Sequence, residues 1–386
     1  MTRSTVVIAS RLFPPEVSAG AFRLGALAQA VVQRGHEMRV LTTTPSRHAP
    51  PIDDPVGVTV QRWPVLRDRG GNVRGYAQYA SFDAPLIGRL LCTRFDVVVA
   101  ESPPTTGLVV AFIAWLKRRP FAYYAADVWT DGVISMGAPK IVVNTVRWME
   151  RRVLRRASSI ISVSDEVTER LLELDADIGR VVTVGNGIDT DVFSEDVEPL
   201  TDESYFVYTG TMSEWQRPEI FVRAFALLAD AYPGLRLRFF GQGVVEEDIR
   251  AVAEELVPGR VSFGGIVSPA ESARWLRGAV GAVVSIAPGI GYDFARPTKT
   301  YAAAATGTPV LFAGPETGAG LVTDAGLGVA TAFTPEAVAD GMRSLLADAA
   351  DGTRERKRVE RAAWARANVS LTALGDRVAD AVIALL

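Results

Sequence analysis

Basic and hydroxyl side chains stand directly before an alanine-rich helical segment in the stretch GYDFARPTKTYAAAATGTPV, residues 291 to 310. Arg296, Thr298 and Lys299 offer the charge and the hydrogen-bond donors with which proteins hold phosphate groups. A helix N-terminus adds unpaired backbone N–H groups to such a site. The stretch therefore predicts an anion site at the mouth of a helix, and the helix itself carries no acid.

Short β-branched runs alternate with helical segments along the chain. The first set of predicted strands spans residues 5–10, 38–43, 58–63, 95–101, 121–127, 158–164 and 181–187, with a helix over 20–34. After the acidic segment 194–204 the pattern restarts, with strands at 205–210, 235–241, 260–265, 281–287 and 308–314. Buried strands separated by helices indicate parallel sheets covered on both faces. We expect two doubly wound α/β domains, divided near residue 195, with a cleft between them.

The composition, 48% hydrophobic and 22% charged with a net charge of −3, is typical of a globular protein. The single cysteine, Cys92, excludes an internal disulfide, and we expect an inert thiol. The first strand begins too early for a signal peptide, which predicts a cytoplasmic protein. The longest apolar run, residues 107–116, is too short to span a bilayer and predicts a buried helix. A surface that dips into a membrane is the alternative.

Charge is distributed unevenly along the chain. Residues 1–190 hold 23 Lys and Arg against 18 Asp and Glu, a balance of +5, whereas the remainder carries −8. A basic half fits an anionic acceptor or a membrane surface, although ordinary solvated faces remain the favoured explanation.

Two aspartate pairs mimic the Asp-x-Asp spacing of metal sites. One pair is Asp175 and Asp177, and the other is Asp189 and Asp191. Their positions in turns favour capping over metal binding. Neither histidine lies where a catalytic base would stand, and Glu101, which ends a predicted strand, either lines an acceptor pocket or belongs to a Pro-capped turn.

A glycine loop and four later segments together carry a family resemblance. Gly20 lies in SRLFPPEVSAGAFRLG, where backbone N–H groups can approach a phosphate or a sugar. The segments VGNGIDTDVF, YTGTMSEWQRPEIFVRAFALL, LRLRFFGQG and PTKTYAAAATGTPVLF follow in order. Over essentially the whole chain they resemble the GT-B retaining glycosyltransferases of family 4, the glycosyl transferases of group 1. ADVWTDGVISMG and the Pro-Thr-Lys step at residues 297–299 are similar to a branch of the family that builds O-antigen and capsule sugars, amino-sugar transferases among them.

The resemblance implies an acceptor-binding Rossmann-like domain at residues 1–195, joined by a C-terminal helix at about 368–386. A nucleotide-sugar-binding domain would occupy residues 196–367. Catalytic roles fall to Asp127, Arg217 and Lys299, with a helix N-cap as the alternative for Asp127. The implied donor contacts are Gly20, Gly210, Thr211, Gly265, Asp293, Phe294, Arg296, Pro297, Thr298 and Lys299. We expect neither a metal nor another cofactor.

The chain also departs from the family pattern. Relatives commonly carry an Arg and a Lys where this chain has Thr211 and Gln216, with Arg217 shifted by one. The glutamate that binds the donor ribose in relatives is replaced by Ala302. Asp293 or Glu316 would then take the ribose, or the nucleoside would sit differently.

The implied function is the transfer of a hexose or amino-hexose from a UDP- or GDP-sugar to a hydroxyl acceptor, with retention of configuration. Envelope polysaccharide or natural-product glycan assembly is the expected setting. The acceptor would be a sugar, a lipid-linked sugar or a small molecule, with peripheral contact to the inner membrane face through the basic domain and no nucleic acid. Two alternatives stay open: a pseudo-glycosyltransferase with a non-sugar donor, and a degenerate GT-B subunit that only binds or scaffolds.

Overall fold

The computed structural model describes residues 3–16, 18–46, 53–68, 73, 75–135, 137–289, 293 and 296–386. The chain divides into two compact units. The first comprises Met1–Asn186 together with Leu371–Leu386, and the second comprises Gly187–Ser370. Each unit is built on one parallel sheet with helices, as the alternating sequence pattern predicts.

The first unit holds a seven-stranded parallel sheet in the order β3-β2-β1-β4-β5-β6-β7. Its central strands are runs of Val, Ile and Ala that are buried on both faces, as helix-covered parallel strands require. The strands are β1 (Thr5–Ala9), β2 (Glu37–Thr43), β3 (Val58–Trp63), β4 (Val97–Glu101), β5 (Phe121–Ala125), β6 (Ser159–Ser162) and β7 (Val181–Thr183). In the described part of this unit, the α-helices before β7 are α1 (Ala19–Gln33), α2 (Tyr76–Cys92), α3 (Pro104–Lys117), α4 (Trp129–Ser135), α5 (Lys140–Arg156) and α6 (Asp165–Glu173).

The second unit holds a six-stranded parallel sheet in the order β10-β9-β8-β11-β12-β13. The strands are β8 (Tyr205–Thr209), β9 (Arg236–Phe240), β10 (Val261–Phe263), β11 (Gly281–Ser285), β12 (Val310–Ala313) and β13 (Gly328–Thr331). Between and after them lie α7 (Glu219–Ala226), α8 (Glu246–Leu256), α9 (Pro269–Gly278), α10 (Thr298–Ala305), α11 (Glu316–Asp324), α12 (Pro335–Ala350), α13 (Thr353–Arg356) and α14 (Arg358–Asn368). The edge strand β13 was not among the predicted strands.

The strand order reverses once in each sheet, and the reversal determines where the loops that could bind a ligand lie. In the first unit the reversal falls between β1 and β4, and in the second between β8 and β11. The loops that leave neighbouring strands at such a switch point diverge to opposite faces, which opens a crevice for ligands.

The last helix, α15 (Leu371–Ile383), packs on α1 of the first unit. Gly375 lies so close to α1 that a Cβ there would meet the carbonyl oxygen of Ala26 at 2.7 Å. Arg34, which follows α1, donates to Asp376 at 2.7 Å and to Asp380 at 2.8 Å. The C-terminal helix therefore belongs to the first unit, as the family resemblance implies.

Helix α3 contains the longest apolar run, and only one of its faces is covered. Phe112, Trp115 and Leu116 are 51%, 62% and 53% exposed. The predicted buried helix is therefore buried on one face only, because α3 packs on the sheet with that face and turns these three side chains outward. Within the described ranges, no helix combines the length and the hydropathy needed to cross a bilayer.

Replacing Gly375 with alanine tests the contact between α15 and α1. We expect Gly375→Ala to lower the free energy of unfolding by about 1–3 kcal/mol, because the added methyl group overpacks a helix pair in backbone contact. The matched control is Gly88→Ala in α2, where a Cβ meets no atom within 4 Å. That control should stabilise by about 0.5–1 kcal/mol through helix propensity. Urea denaturation measures the change in the free energy of unfolding for each variant. Changes in the same direction for Gly375→Ala and Gly88→Ala would contradict the packing of α15 on α1.

Candidate functional site

The switch point of the second sheet joins two loops by hydrogen bonds. The loop after β8 runs from Gly210 to Pro218, and the loop after β11 begins at Ile286. The Ala287 N–H donates to the Trp215 carbonyl at 2.9 Å, and the Ser285 hydroxyl donates to the Gln216 carbonyl at 2.7 Å. The two loops flanking the crevice are thereby fixed to each other.

Glycines bring the loops after β8, β9 and β10 into backbone contact. Gly210 has φ +108°, and its N–H donates to the Phe240 carbonyl at 2.8 Å. A Cβ on Gly241 would lie 2.0 Å from the Gly210 carbonyl oxygen, so only glycine fits there. The Gly241 N–H donates to the Gly265 carbonyl at 2.7 Å. Gly210 and Gly265, both predicted site residues, are therefore linked through Gly241.

Lys299 lies in the first turn of α10 and reaches back to the end of β8. Its ammonium donates to the Tyr208 hydroxyl at 2.6 Å and to the Thr211 carbonyl at 3.4 Å. The Nζ atom also lies 3.9 Å from the centre of the Tyr208 ring, within range of a cation–π interaction. Burial of the ammonium lowers the pKa of Lys299 to about 7. The structure thus brings Lys299, Thr211 and Gly210 together.

The other predicted donor contacts, at residues 293–298 before and at the start of α10, differ in their surroundings. Pro297 is the N-cap residue of α10, Thr298 is exposed in its first turn, and Arg296 is half-buried. Asp293 accepts the Gly289 N–H at 2.8 Å. Phe294 lies outside the described residues, so its predicted role stays a prediction.

Arg217 stands apart from Lys299 in its contacts. Its Nε donates to Glu219 at 3.0 Å, in the first turn of α7, and its side chain is more than half exposed. Its backbone has φ +45°, unusual for a residue other than glycine. Ala302, for which the family resemblance implies a ribose-binding glutamate, is buried in α10.

The switch point of the first sheet holds a buried carboxylate. Glu101 ends β4, is 4% exposed, and accepts the Ser10 hydroxyl at 2.5 Å. Arg23 of α1 lies 4.0 Å from its other oxygen. A Cβ on Gly20 would meet that same oxygen at 2.6 Å, so the close approach of the carboxylate accounts for this glycine. Burial raises the pKa of Glu101, while Ser10 and Arg23 lower it.

Arg11, which sequence reasoning missed, is a second buried charge at this edge. It donates to the carbonyls of Val73 at 2.9 Å and Ser102 at 3.3 Å, and its guanidinium lies 4.4 Å from the centre of the Tyr79 ring. Burial lowers the pKa of Arg11. Its position two residues after β1 was the available signal, because the carboxyl ends of strands gather at this edge.

Asp127 is exposed just beyond β5, and another acid caps the helix that follows. Glu150 of α5 accepts the N–H groups of Trp129 and Thr130, each at 2.9 Å, and the Thr130 hydroxyl at 2.6 Å. Glu150 is fully buried, and burial raises its pKa. The capping role considered for Asp127 therefore belongs to Glu150, which a sequence pattern could not reveal because it lies 20 residues away.

The aspartate pairs serve turns and ion pairs. Asp177 accepts the Gly179 N–H and Asp189 accepts the Asp191 N–H, each at 3.0 Å. Asp175 accepts from Arg155 at 2.9 Å. In the part of the chain that the structure describes, no group of three or more His, Cys, Asp or Glu side chains could hold a metal ion.

Two doubly wound parallel sheets, each with polar loops at its switch point, define the GT-B class of proteins. Residues 19–187 match the model of the glycosyl transferase 4-like domain, and residues 203–348 match that of glycosyl transferases group 1. The chain belongs to the group 1 glycosyltransferases, and it is a retaining enzyme that uses a nucleotide sugar. No curated protein sequence matched the chain.

Solved structures share the fold at low sequence identity. Anabaena Alr3699/HepE in complex with UDP and glucose is 14% identical, with a TM-score of 0.65 and coverage of 99% of this chain and 100% of that one. A glycosyltransferase from Rickettsia africae is 12% identical, with a TM-score of 0.71 and coverage of 100% and 99%. WaaG, a glycosyltransferase involved in lipopolysaccharide biosynthesis, is 18% identical, with a TM-score of 0.65 and coverage of 98% and 99%.

The contrast between Glu150 and Asp127 gives a stability test. We expect Glu150→Gln to lower the free energy of unfolding by about 1–3 kcal/mol, because an amide cannot accept all three hydrogen bonds and strands a buried donor. The control is Asp127→Asn at an exposed position, which should stay within about 0.5 kcal/mol of the wild type. If the Asp127 variant lost the greater stability in denaturant, the assignment of the cap would be wrong.

Proposed function

We propose that the protein transfers a hexose or amino-hexose from a UDP- or GDP-sugar to a hydroxyl acceptor, in envelope polysaccharide or natural-product glycan assembly. The observation that carries this proposal is the placement of the Lys299 ammonium at the switch point of the second sheet, beside the glycine-bound loop after β8. The UDP in the complex of the Anabaena relative supports a uridine nucleotide.

In the proposed reaction the second unit binds the nucleoside diphosphate. Lys299 and the N–H groups of the first turn of α10 neutralise the charge that the departing diphosphate gains. The acceptor oxygen attacks the anomeric carbon on the face from which the diphosphate leaves. The bond from carbon to phosphate oxygen breaks, and the acceptor proton passes to that oxygen. The step needs no enzyme nucleophile, and a fixed ammonium supplies charge stabilisation without a metal.

The first unit is proposed to present the acceptor near Asp127. This carboxylate is exposed beyond β5 while Glu150 satisfies the neighbouring helix, so Asp127 remains available for a hydroxyl group. For the nucleotide-sugar donor, we propose that Asp293 or Glu316 binds the ribose in place of the glutamate that is absent at Ala302. Asp293 already holds the Gly289 N–H through Oδ1, and Glu316 is exposed at the start of α11.

We also propose that the first unit contacts an anionic membrane surface, which would carry a lipid-linked acceptor. An open depression of about 630 Å³ runs along α5, lined by Asn144, Arg147, Trp148, Arg151, Arg152 and Arg155. Trp148 is 61% exposed, and α5 packs against α3 with its exposed Phe112 and Trp115. Arginine beside exposed aromatic rings fits the headgroup layer of an anionic bilayer.

Calorimetry with a panel of nucleoside diphosphates, followed by mass spectrometry of donor turnover, tests the reaction. We expect UDP or GDP to bind, and Lys299→Ala to weaken that binding by about 1.5–3 kcal/mol through loss of a charged hydrogen bond. Binding without sugar transfer would favour the pseudo-glycosyltransferase. Failure of every nucleotide to bind would overturn the proposal in favour of the scaffold.

The pKa of Lys299 predicts a pH dependence for nucleotide binding. Its pKa is about 7 in the free protein, below its usual value, so raising the pH above 7 removes the ammonium. UDP is fully ionised there and favours the charged lysine. Its dissociation constant should therefore rise by up to about tenfold per pH unit between pH 7 and 9. Lys299→Arg, which stays charged, should flatten the profile, and a flat wild-type profile would contradict the prediction.

Vesicle sedimentation tests the membrane contact. With vesicles of equal parts phosphatidylglycerol and phosphatidylcholine, we expect the double variant Arg147→Glu and Arg152→Glu to bind at least about tenfold more weakly, since each cation near a charged bilayer contributes about 1 kcal/mol. The control reverses two other exposed cations, Arg94→Glu and Arg223→Glu. Equal losses in both double variants would indicate only net charge and would contradict the assigned surface.

A further inference from the structure

Two neutral side chains, those of Tyr208 and Gln216, are hydrogen-bonded to each other next to the Lys299 ammonium, and we call this pair the polar relay. The Tyr208 hydroxyl receives the lysine N–H at 2.6 Å and lies 2.6 Å from the Thr211 carbonyl and 2.7 Å from the Gln216 Oε1. A hydroxyl has one proton, so while its oxygen accepts from lysine it donates to one of these two acceptors. The Ser213 hydroxyl also donates to the Gln216 Oε1 at 3.2 Å.

The surrounding core holds the relay rigidly. Tyr208 is fully buried in β8, and its ring centre lies 5.4 Å from that of Phe239 and 6.5 Å from that of Phe221. Gln216 is 3% exposed, and its carbonyl accepts the Ser285 hydroxyl from β11. Tyr208 is held within β8, and Gln216, in the loop after β8, is tied to β11 by the Ser285 hydrogen bond. Because both hydrogen-bonding groups are held in place, the position of the Lys299 Nζ is fixed as well.

The geometry leaves one lysine donor for a ligand. An ammonium carries three N–H groups, and Lys299 directs one to Tyr208 and one to Thr211. Gly210 borders the ammonium, and a Cβ there would lie 3.7 Å from Nζ. With two donors held by the protein, the third has a defined direction beside an open stretch of backbone.

We propose that Tyr208 is a positioning residue, which acts with Gln216 to orient the Lys299 ammonium toward the donor diphosphate. This proposal rests on the proposed function, since it assumes that Lys299 binds a diphosphate. The relay gives the neutral side chain of Gln216 a role, because its amide oxygen lies within hydrogen-bond distance of the Tyr208 hydroxyl. Thr211 lends its carbonyl and Gln216 its amide oxygen to the placement of a single cation, while Arg217 pairs with Glu219.

Calorimetric titration with UDP and GDP tests the relay, using Tyr208→Phe, which removes the hydroxyl and keeps the ring. The matched control is Tyr205→Phe on the same strand, where a fully buried hydroxyl donates to the Trp275 carbonyl at 2.7 Å. We expect Tyr208→Phe to weaken binding of the nucleotide by about tenfold, and Tyr205→Phe to leave its affinity unchanged. Urea midpoints of the two variants verify that both are folded to a similar degree.

A double-mutant cycle separates positioning from general damage. In a Lys299→Met background, Tyr208→Phe should cause no further loss of nucleotide affinity, because its effect passes through the lysine. The pH profile provides a second readout. Among the residues that the structure describes, Tyr208 is the titratable side chain that contacts Lys299, and loss of its hydroxyl acceptor should move the fall in affinity to lower pH.

Equal affinities of the Tyr208→Phe and Tyr205→Phe variants would overturn the proposal. The same loss with and without Lys299, or an unmoved pH profile, would overturn it also. Failure of the proposed function is distinguishable, because the wild-type protein would then bind neither nucleotide before any variant is compared.

Discussion

A contact between main chains sets the geometry of the donor site. The α-carbon of Gly241 lies against the carbonyl of Gly210, so the loop after β9 packs on the loop after β8 with no side chain between them. This contact holds the Thr211 carbonyl at the end of β8, where the Lys299 ammonium reaches it. Any larger residue at 241 would separate the loops, and the cation would lose an anchor.

The two units use the same topology to hold opposite charges. At the switch point of the first sheet, the buried carboxylate of Glu101 accepts a hydrogen bond from the Ser10 hydroxyl and lies close to Gly20. At the switch point of the second sheet, the ammonium of Lys299 donates hydrogen bonds to the Tyr208 hydroxyl and the Thr211 carbonyl. A buried charge is costly without partners, so each is surrounded by groups that hydrogen-bond to it.

Much of the fold was predictable because parallel strands that are buried on both faces appear in the sequence as continuous runs of apolar residues. The predicted strands from 5–10 to 308–314 all correspond to strands of the two sheets. The edge strand β13, GVAT, was missed because its residues are only half-buried and carry no long apolar run. The outward face of α3 was missed for the opposite reason, since its continuous apolar run hid which side chains are exposed.

The sequence by itself determined the alternation of strands and helices, the repeat of the pattern near residue 195 and the candidate anion loop around Lys299, because local propensity and periodicity encode them. Tertiary structure alone decided which groups meet. Glu150 caps a helix 20 residues before it, Glu101 takes the space beside Gly20, and Tyr208 receives a lysine 91 residues later. Hydrogen bonds and burial depend on distances in space, and sequence spacing does not specify those distances before the sheets are assembled.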